Sequence, residues 1–211
     1  MKTALIAGST GLIGNQLLEL LLQSTDYSKV VALTRQDLVE HYKLVQIKID
    51  LGTIAERAEA LKADDVFCCL GTTIARAGSK EKFHQVDFYY PLLLARIAHA
   101  AGAKQYMLIS SLGADKKSFI YYAQVKGEIE EAVSSVGFES VHIFRPSLLL
   151  GRTEIRSGEV AAKYFYKVFG FLIPKKFKAI ASVKVARAML YFASQNKKGN
   201  FIHESLELQN F

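Results

Sequence analysis

The chain has few of the residues that staple or segment a protein: two cysteines, three prolines and no tryptophan among 211 residues. Cys68 and Cys69 are adjacent, which gives neither a Cys-x-x-Cys pair nor a zinc pattern. In their apolar setting they read as small buried hydrophobes rather than redox groups. The five histidines (His41, His84, His99, His142 and His203) also lack metal-ligand spacing, so no metal site is expected. No apolar run reaches the ~18 residues of a membrane span. The opening MKTALIAGST resembles a secretory leader only superficially, because its apolar stretch ends in a glycine turn, and a cytoplasmic protein is expected. Internal repeats and linker-like segments are missing too, which favours one domain over residues 1–211.

Half of the residues are apolar and 22% are charged, the balance of a globular chain and not of a disordered one. The formal net charge is +7. Lysines gather in KKFKAIASVKVAR (175–187) and in NKKGN, but no RNA-binding aromatic box accompanies them. Most therefore read as a solvated face, and nucleic acid is not an expected partner. A cofactor carrying several phosphates would also favour a basic cleft.

The stretch ALIAGSTGLIGNQLLELLL joins a short apolar strand to an apolar helical pattern through Gly8, Gly11 and Gly14. Glycines let backbone approach a phosphate, and the free N–H groups of a helix start supply donors and partial positive charge. The spacing is Gly-x-x-Gly-x-x-Gly, unlike Gly-x-Gly-x-x-Gly, and no Lys-Ser/Thr pair makes it a P-loop. Further strands are expected at 29–35, 43–50, 64–71, 105–110 and 139–146. Helices are expected at 80–101, with Pro91 a point of kinking or division, and at 121–136. This alternation predicts an α/β fold, a Rossmann-like doubly wound parallel sheet. The tail, about 147–211 with helices near 158–169 and 182–195, is expected to form a small C-terminal cap on the substrate side.

Where the second strand ends, Arg35 stands in the place that an acid commonly takes in NAD-binding folds. A guanidinium there suits the 2′-phosphate of NADP(H), which is favoured over NAD(H). The strongest chemical signal is SSLGADKKSFIYYAQVKGEIEEA, a serine pair after a strand followed by Tyr122-x-x-x-Lys126 on one helical face. A phenol ordinarily titrates near pH 10, and an adjacent ammonium stabilises its phenolate, so such a pair can exchange protons near neutrality. A serine hydroxyl facing it can hold a substrate oxygen while hydride moves.

Together AGSTGLIG, ID at 49–50, CCLGTT, ISS, YYAQVKGEIE and FRPSLLLG resemble the short-chain dehydrogenase/reductase superfamily, in its extended or atypical branch. More narrowly, FCCLGTTIARAG, SSLGADKKS and VKGEIEEAV look like the atypical group of HIV-1 Tat-interactive protein 2. The resemblance implies a catalytic Ser111, Tyr122 and Lys126. It implies a cofactor site of Gly8, Thr10, Gly11, Leu12, Ile13 and Gly14 at the phosphates, with Arg35 and Gln36 at the adenosine ribose. Asp50 and Leu51 would lie near the adenine, and Leu70, Gly71 and Thr72 along the nicotinamide half. Tyr122 and Lys126 reach that half too, and Leu149 and Arg156 close over the cofactor. Gln36 departs from a second arginine usual in that group, which weakens the NADP(H) preference. The implied activity is hydride transfer to or from a small carbonyl, alcohol or quinone-like substrate. One alternative is an NADP(H)-binding sensor or scaffold with little turnover; another is a binder of nucleic acid or membrane surfaces through the basic tail.

Overall fold

The computed structural model describes residues 1–150, 174 and 177–211. Seven parallel strands form the main sheet: β1 (Lys2–Ala7), β2 (Tyr27–Thr34), β3 (Leu44–Lys48), β4 (Asp65–Cys68), β5 (Gln105–Ile109), β6 (Ser140–Arg145) and, nearer the C-terminus, Gly199–Glu204. Their spatial order, with that last strand seventh, is 3-2-1-4-5-6-7, and every neighbouring pair is parallel. This is the doubly wound order in which ligands bind at the carboxyl edge where the winding reverses, between β1 and β4.

The central strands are apolar on both faces because both faces are covered. Residues 4–7 and 66–68 are fully buried. One core cluster joins α1 (Leu12–Gln23), through Ile13, Leu17 and Leu21, to Val185 and Met189 of the helix Ser182–Ser194. The other lies across the sheet, where Leu94 and Ala98 of α4 (Tyr90–Ala100) meet Ile129 and Val133 of α5 (Tyr121–Ser134).

The structure departs from the sequence expectations in two places. A 3-10 helix, Leu51–Leu61, fills a stretch to which no element had been assigned. The helix expected at 80–101, with Pro91 as its point of kinking or division, does divide, into α3 (Lys80–His84), a π turn (Gln85–Tyr89) and α4. Pro91 explains the division: its ring would crowd the carbonyl four residues back, and a turn widened to five residues relieves this. The Tyr90 amide duly donates to the Gln85 carbonyl. Part of the tail expected to cap the site extends the sheet layers instead. Ser182–Ser194 packs on α1, and Gly199–Glu204 pairs with β6. The expected helix at 158–169 lies outside the described residues.

Candidate functional site

The glycine turn follows directly from β1. Gly8 has φ +84°, where an L side chain is strained, and a Cβ there would meet the Cys69 backbone at 2.6 Å. At Gly14 a Cβ would come within 2.1 Å of the Gly8 carbonyl oxygen, so α1 starts in contact with the turn. Gly11 is the N-cap of α1, and no side chain caps the helix or places an acid in its first turn. Backbone donors are thus left for an anion. Ser9, 1% exposed, sits inside the turn with its hydroxyl unpartnered among the described residues. Sequence reasoning passed over Ser9, whose only signal is its place inside the glycine turn.

The same edge gathers the rest of the expected nicotinamide side. The Cys69 amide donates to the Ala7 carbonyl, which sets Leu70, Gly71 and Thr72 beside the glycine turn. Ser110 and Ser111 follow β5, and their roles separate. The Ser110 hydroxyl donates to Glu130, which Arg145 grips through two nitrogens. The Ser111 hydroxyl is shielded from solvent and has no partner among the described residues. Tyr122, in the first turn of α5, lies against the Phe83 ring at 5.4 Å. Tyr121 is engaged elsewhere: its hydroxyl donates to the Lys80 carbonyl, and the Lys80 ammonium lies 5.1 Å from its ring.

Lys126, one turn on, is 4% exposed. Its Nζ lies 2.8 Å from Oδ1 of Asp87, itself fully buried. Burial pushes the ammonium toward neutrality, but the Asp87 carboxylate and then the Tyr122 phenol outweigh it, holding the lysine above its ordinary value. Asp87 was absent from the residues named from sequence. The signal was there, since an acid four residues after buried Phe83 falls on an inward stripe and calls for a cation.

Arg35 and Gln36 follow β2, and Asp50 and Leu51 follow β3, at the same carboxyl edge of the sheet. Arg35 is exposed at the end of β2, and a Thr34 hydroxyl that accepts from the Gln36 amide fixes the turn after it. Asp37 is drawn away to Lys48 at 2.6 Å. Asp50 accepts from the Gly52 amide and caps the 3-10 helix. Tyr90, also missed from sequence, feels the charges of Asp50 and Arg35; burial first, then Asp50, raises its phenol above the ordinary value. Leu149 lies in a two-residue strand paired with Ile180–Ala181 and packs against the core cluster that holds Ile13. Arg156 lies outside the described residues. No His, Cys, Asp and Glu cluster fit for a metal occurs among the described residues. No described helix is long and apolar enough to cross a membrane. A crevice with a glycine cradle, uncapped amides and unpartnered buried hydroxyls fits a dinucleotide.

Residues 4–130 match the model of the NAD dependent epimerase/dehydratase family. Rat protein HTATIP2 is 41% identical over 198 residues, 90% of this chain and 80% of that protein. Protein FMP52-1, mitochondrial, of Scheffersomyces stipitis is 36% identical over 161 residues, 74% and 71% of the two chains. Among solved structures, a short-chain dehydrogenase/reductase family oxidoreductase from Burkholderia thailandensis superimposes with a TM-score of 0.71 at 19% identity, covering 98% of this chain and 92% of that one. MoeE5 in complex with UDP-glucose and NAD gives 0.73 at 17% identity, over 95% and 74%. These two likenesses speak for the fold. The fungal relatives overturn the expectation of a cytoplasmic protein, since those of three yeasts are named mitochondrial. That expectation had weighed the opening segment only as a secretory leader. The chain belongs to the NAD dependent epimerase/dehydratase family of oxidoreductases, as an atypical short-chain dehydrogenase/reductase related to HTATIP2.

Proposed function

We propose that the protein is an NADP(H)-dependent oxidoreductase acting on a small carbonyl, alcohol or quinone-like substrate through Ser111, Tyr122 and Lys126. The observation that supports the reading is a buried Lys126 that feels the Tyr122 phenol one turn earlier on α5 and stands against Gly71, with a shielded, unpartnered Ser111 hydroxyl following β5. When bound, NADP(H) would supply the hydride chemistry, and Leu70, Gly71, Thr72 and Lys126 would hold its nicotinamide half. Ser111 donates a hydrogen bond to the substrate oxygen and fixes its position. Tyr122 passes its hydroxyl proton to that oxygen during reduction and recovers one during oxidation. Lys126 sets a positive charge against the phenolate that remains.

The amides of the turn and of α1 would hold the pyrophosphate, and Arg35 would hold the 2′-phosphate. The pairing of Asp37 with Lys48 supports this preference, because it leaves the nearest acid engaged away from a ribose. NADPH should bind roughly ten- to a hundredfold tighter than NADH, as charge-assisted hydrogen bonds of about 1.5–3 kcal/mol imply. Fluorescence titration of both cofactors, with Arg35→Ala beside the wild type, checks this. Equal affinities, or a preference that survives Arg35→Ala, would remove Arg35 from the site. NADPH oxidation is then followed with a panel of aldehydes and quinones. Tight NADPH binding with no turnover of any would favour the sensor reading over the enzyme.

A further inference from the structure

The hydride-transfer reading leaves the buried acid beneath the site without a task. Asp87 and Lys126 are 1% and 4% exposed, and their charged atoms lie 2.8 Å apart. Taking two ions out of water costs several kcal/mol each, repaid only when the geometry is good and the leftover lone pairs are satisfied. The second oxygen, Oδ2, is satisfied by the Thr72 amide at 2.8 Å. Gly71 lies against the pair, its absent Cβ falling 3.4 Å from Asp87 Oδ1 and 3.7 Å from Lys126 Nζ. One carboxylate therefore touches a lysine on α5 and the backbone that leaves β4.

Asp87 lies one turn beyond Phe83, and both are buried on the side that packs against α5. Apolar residues of similar volume would hold these elements together at no greater cost. Stability alone therefore does not account for a charge pair here.

We propose that Asp87 is a positioning residue. One oxygen anchors the Lys126 ammonium and the other the Thr72 amide, so that the lysine and residues 70–72 keep one mutual geometry. This rests on the reading above, in which both face the nicotinamide half of the cofactor.

Two substitutions separate the two anchors. Asp87→Asn keeps an oxygen for the Thr72 amide but removes the charge opposite Lys126, and Asp87→Leu removes both. Two readouts need no cofactor: hydrogen exchange of the amides at 70–73, and NMR titration of the Lys126 side chain. Exchange should rise about tenfold or more in Asp87→Leu, as expected for loss of a buried hydrogen bond, and stay near wild type in Asp87→Asn. The lysine should titrate at lower pH in Asp87→Asn than in the wild type, because burial then acts unopposed.

The third readout is NADPH affinity between pH 6 and 9. Asp87→Asn should bind roughly tenfold more weakly at pH 9 and recover toward wild type at pH 6, where the lysine regains its proton. A merely structural defect would weaken binding equally at every pH. Unchanged exchange in Asp87→Leu overturns the Thr72 anchor. An unchanged lysine titration, or an affinity and pH profile identical to wild type in Asp87→Asn, overturns the Lys126 anchor. Should Asp87→Leu not fold, exchange at 70–73 in Asp87→Asn with and without NADPH replaces it, and protection that is already lost before NADPH is added overturns the anchor. If the wild type binds neither NADPH nor NADH, the cofactor reading fails by itself, and the exchange and lysine titration still decide the proposal.

Discussion

Ser110 and Ser111 differ by one position and by everything around them. The first is spent on Glu130 and Arg145, while the hydroxyl of the second waits in the crevice. Sequence order and family resemblance favoured Ser111; the physical reason, that Ser110 already has a buried partner, needed coordinates. The tyrosine pair was more legible. Spacing of four ties Tyr122 and not Tyr121 to Lys126, and the structure sends the Tyr121 hydroxyl to Lys80. Tyr122→Phe should therefore cut the turnover of any confirmed carbonyl substrate by ~10²–10⁴-fold while leaving NADPH affinity nearly unchanged. Tyr121→Phe should be nearly silent in both assays. Steady-state kinetics and cofactor titration on the two variants check the contrast, and full activity in Tyr122→Phe would sink the mechanism. Asp87 escaped notice because pairing reasons from sequence neighbours, whereas Lys126 stands 39 positions away across the fold.

At the scale of elements, legibility followed burial. The strands at β1, β4 and β5 announce themselves as continuous apolar runs because both faces are covered. Gly199–Glu204 does not, since it lies at the sheet edge. There Ile202 is 51% exposed while His203 is buried, which inverts the hydropathy rule. Helix α5 was expected at 121–136 and spans Tyr121–Ser134, but its helical period says nothing of how closely a loop would press on it. Gly127 carries that information. A Cβ there would lie 2.1 Å from the Lys116 amide nitrogen and 2.4 Å from the Asp115 carbonyl carbon, both backbone atoms that cannot swing aside. Gly127→Ala should consequently displace the loop after Ser111 and destabilise the protein by about 1–3 kcal/mol. Calorimetry should record a Tm lower by roughly 2–4 °C for each kcal/mol. A variant as stable as the wild type would mean that the loop yields freely.

The whole molecule adds what no local pattern contains, namely which distant segments meet. The doubly wound parallel sheet followed from alternation and right-handed crossovers, but the return of the tail to β6 did not, and it brings His203 against His142. Their ring nitrogens are 2.9 Å apart, and His203 also meets Glu207 at 3.1 Å. Phe192 and Phe201 stack on the pair. Burial, then the neighbouring His203 and Lys197, lowers His142 from 6.5 to about 4. Burial likewise lowers His203, against the pull of Glu207. A base whose folded value is depressed makes the unfolded chain the better proton acceptor between the two values. This contribution is thus neutral above pH 6.5, erodes stability as pH falls from about 6.5 to 4, and flattens below. For His142 the loss is at most about 3–4 kcal/mol, one proton over that interval. Urea unfolding at pH 8, 6.5, 5 and 4 measures the slope, and carboxylates contribute to it as well, so the informative quantity is a difference. His142→Phe keeps a ring in the stack and removes a proton site. It should lose less stability than the wild type between pH 6.5 and 4, whatever its stability at pH 8, and parallel losses would show that the histidine pair does not set the acid limit of this fold.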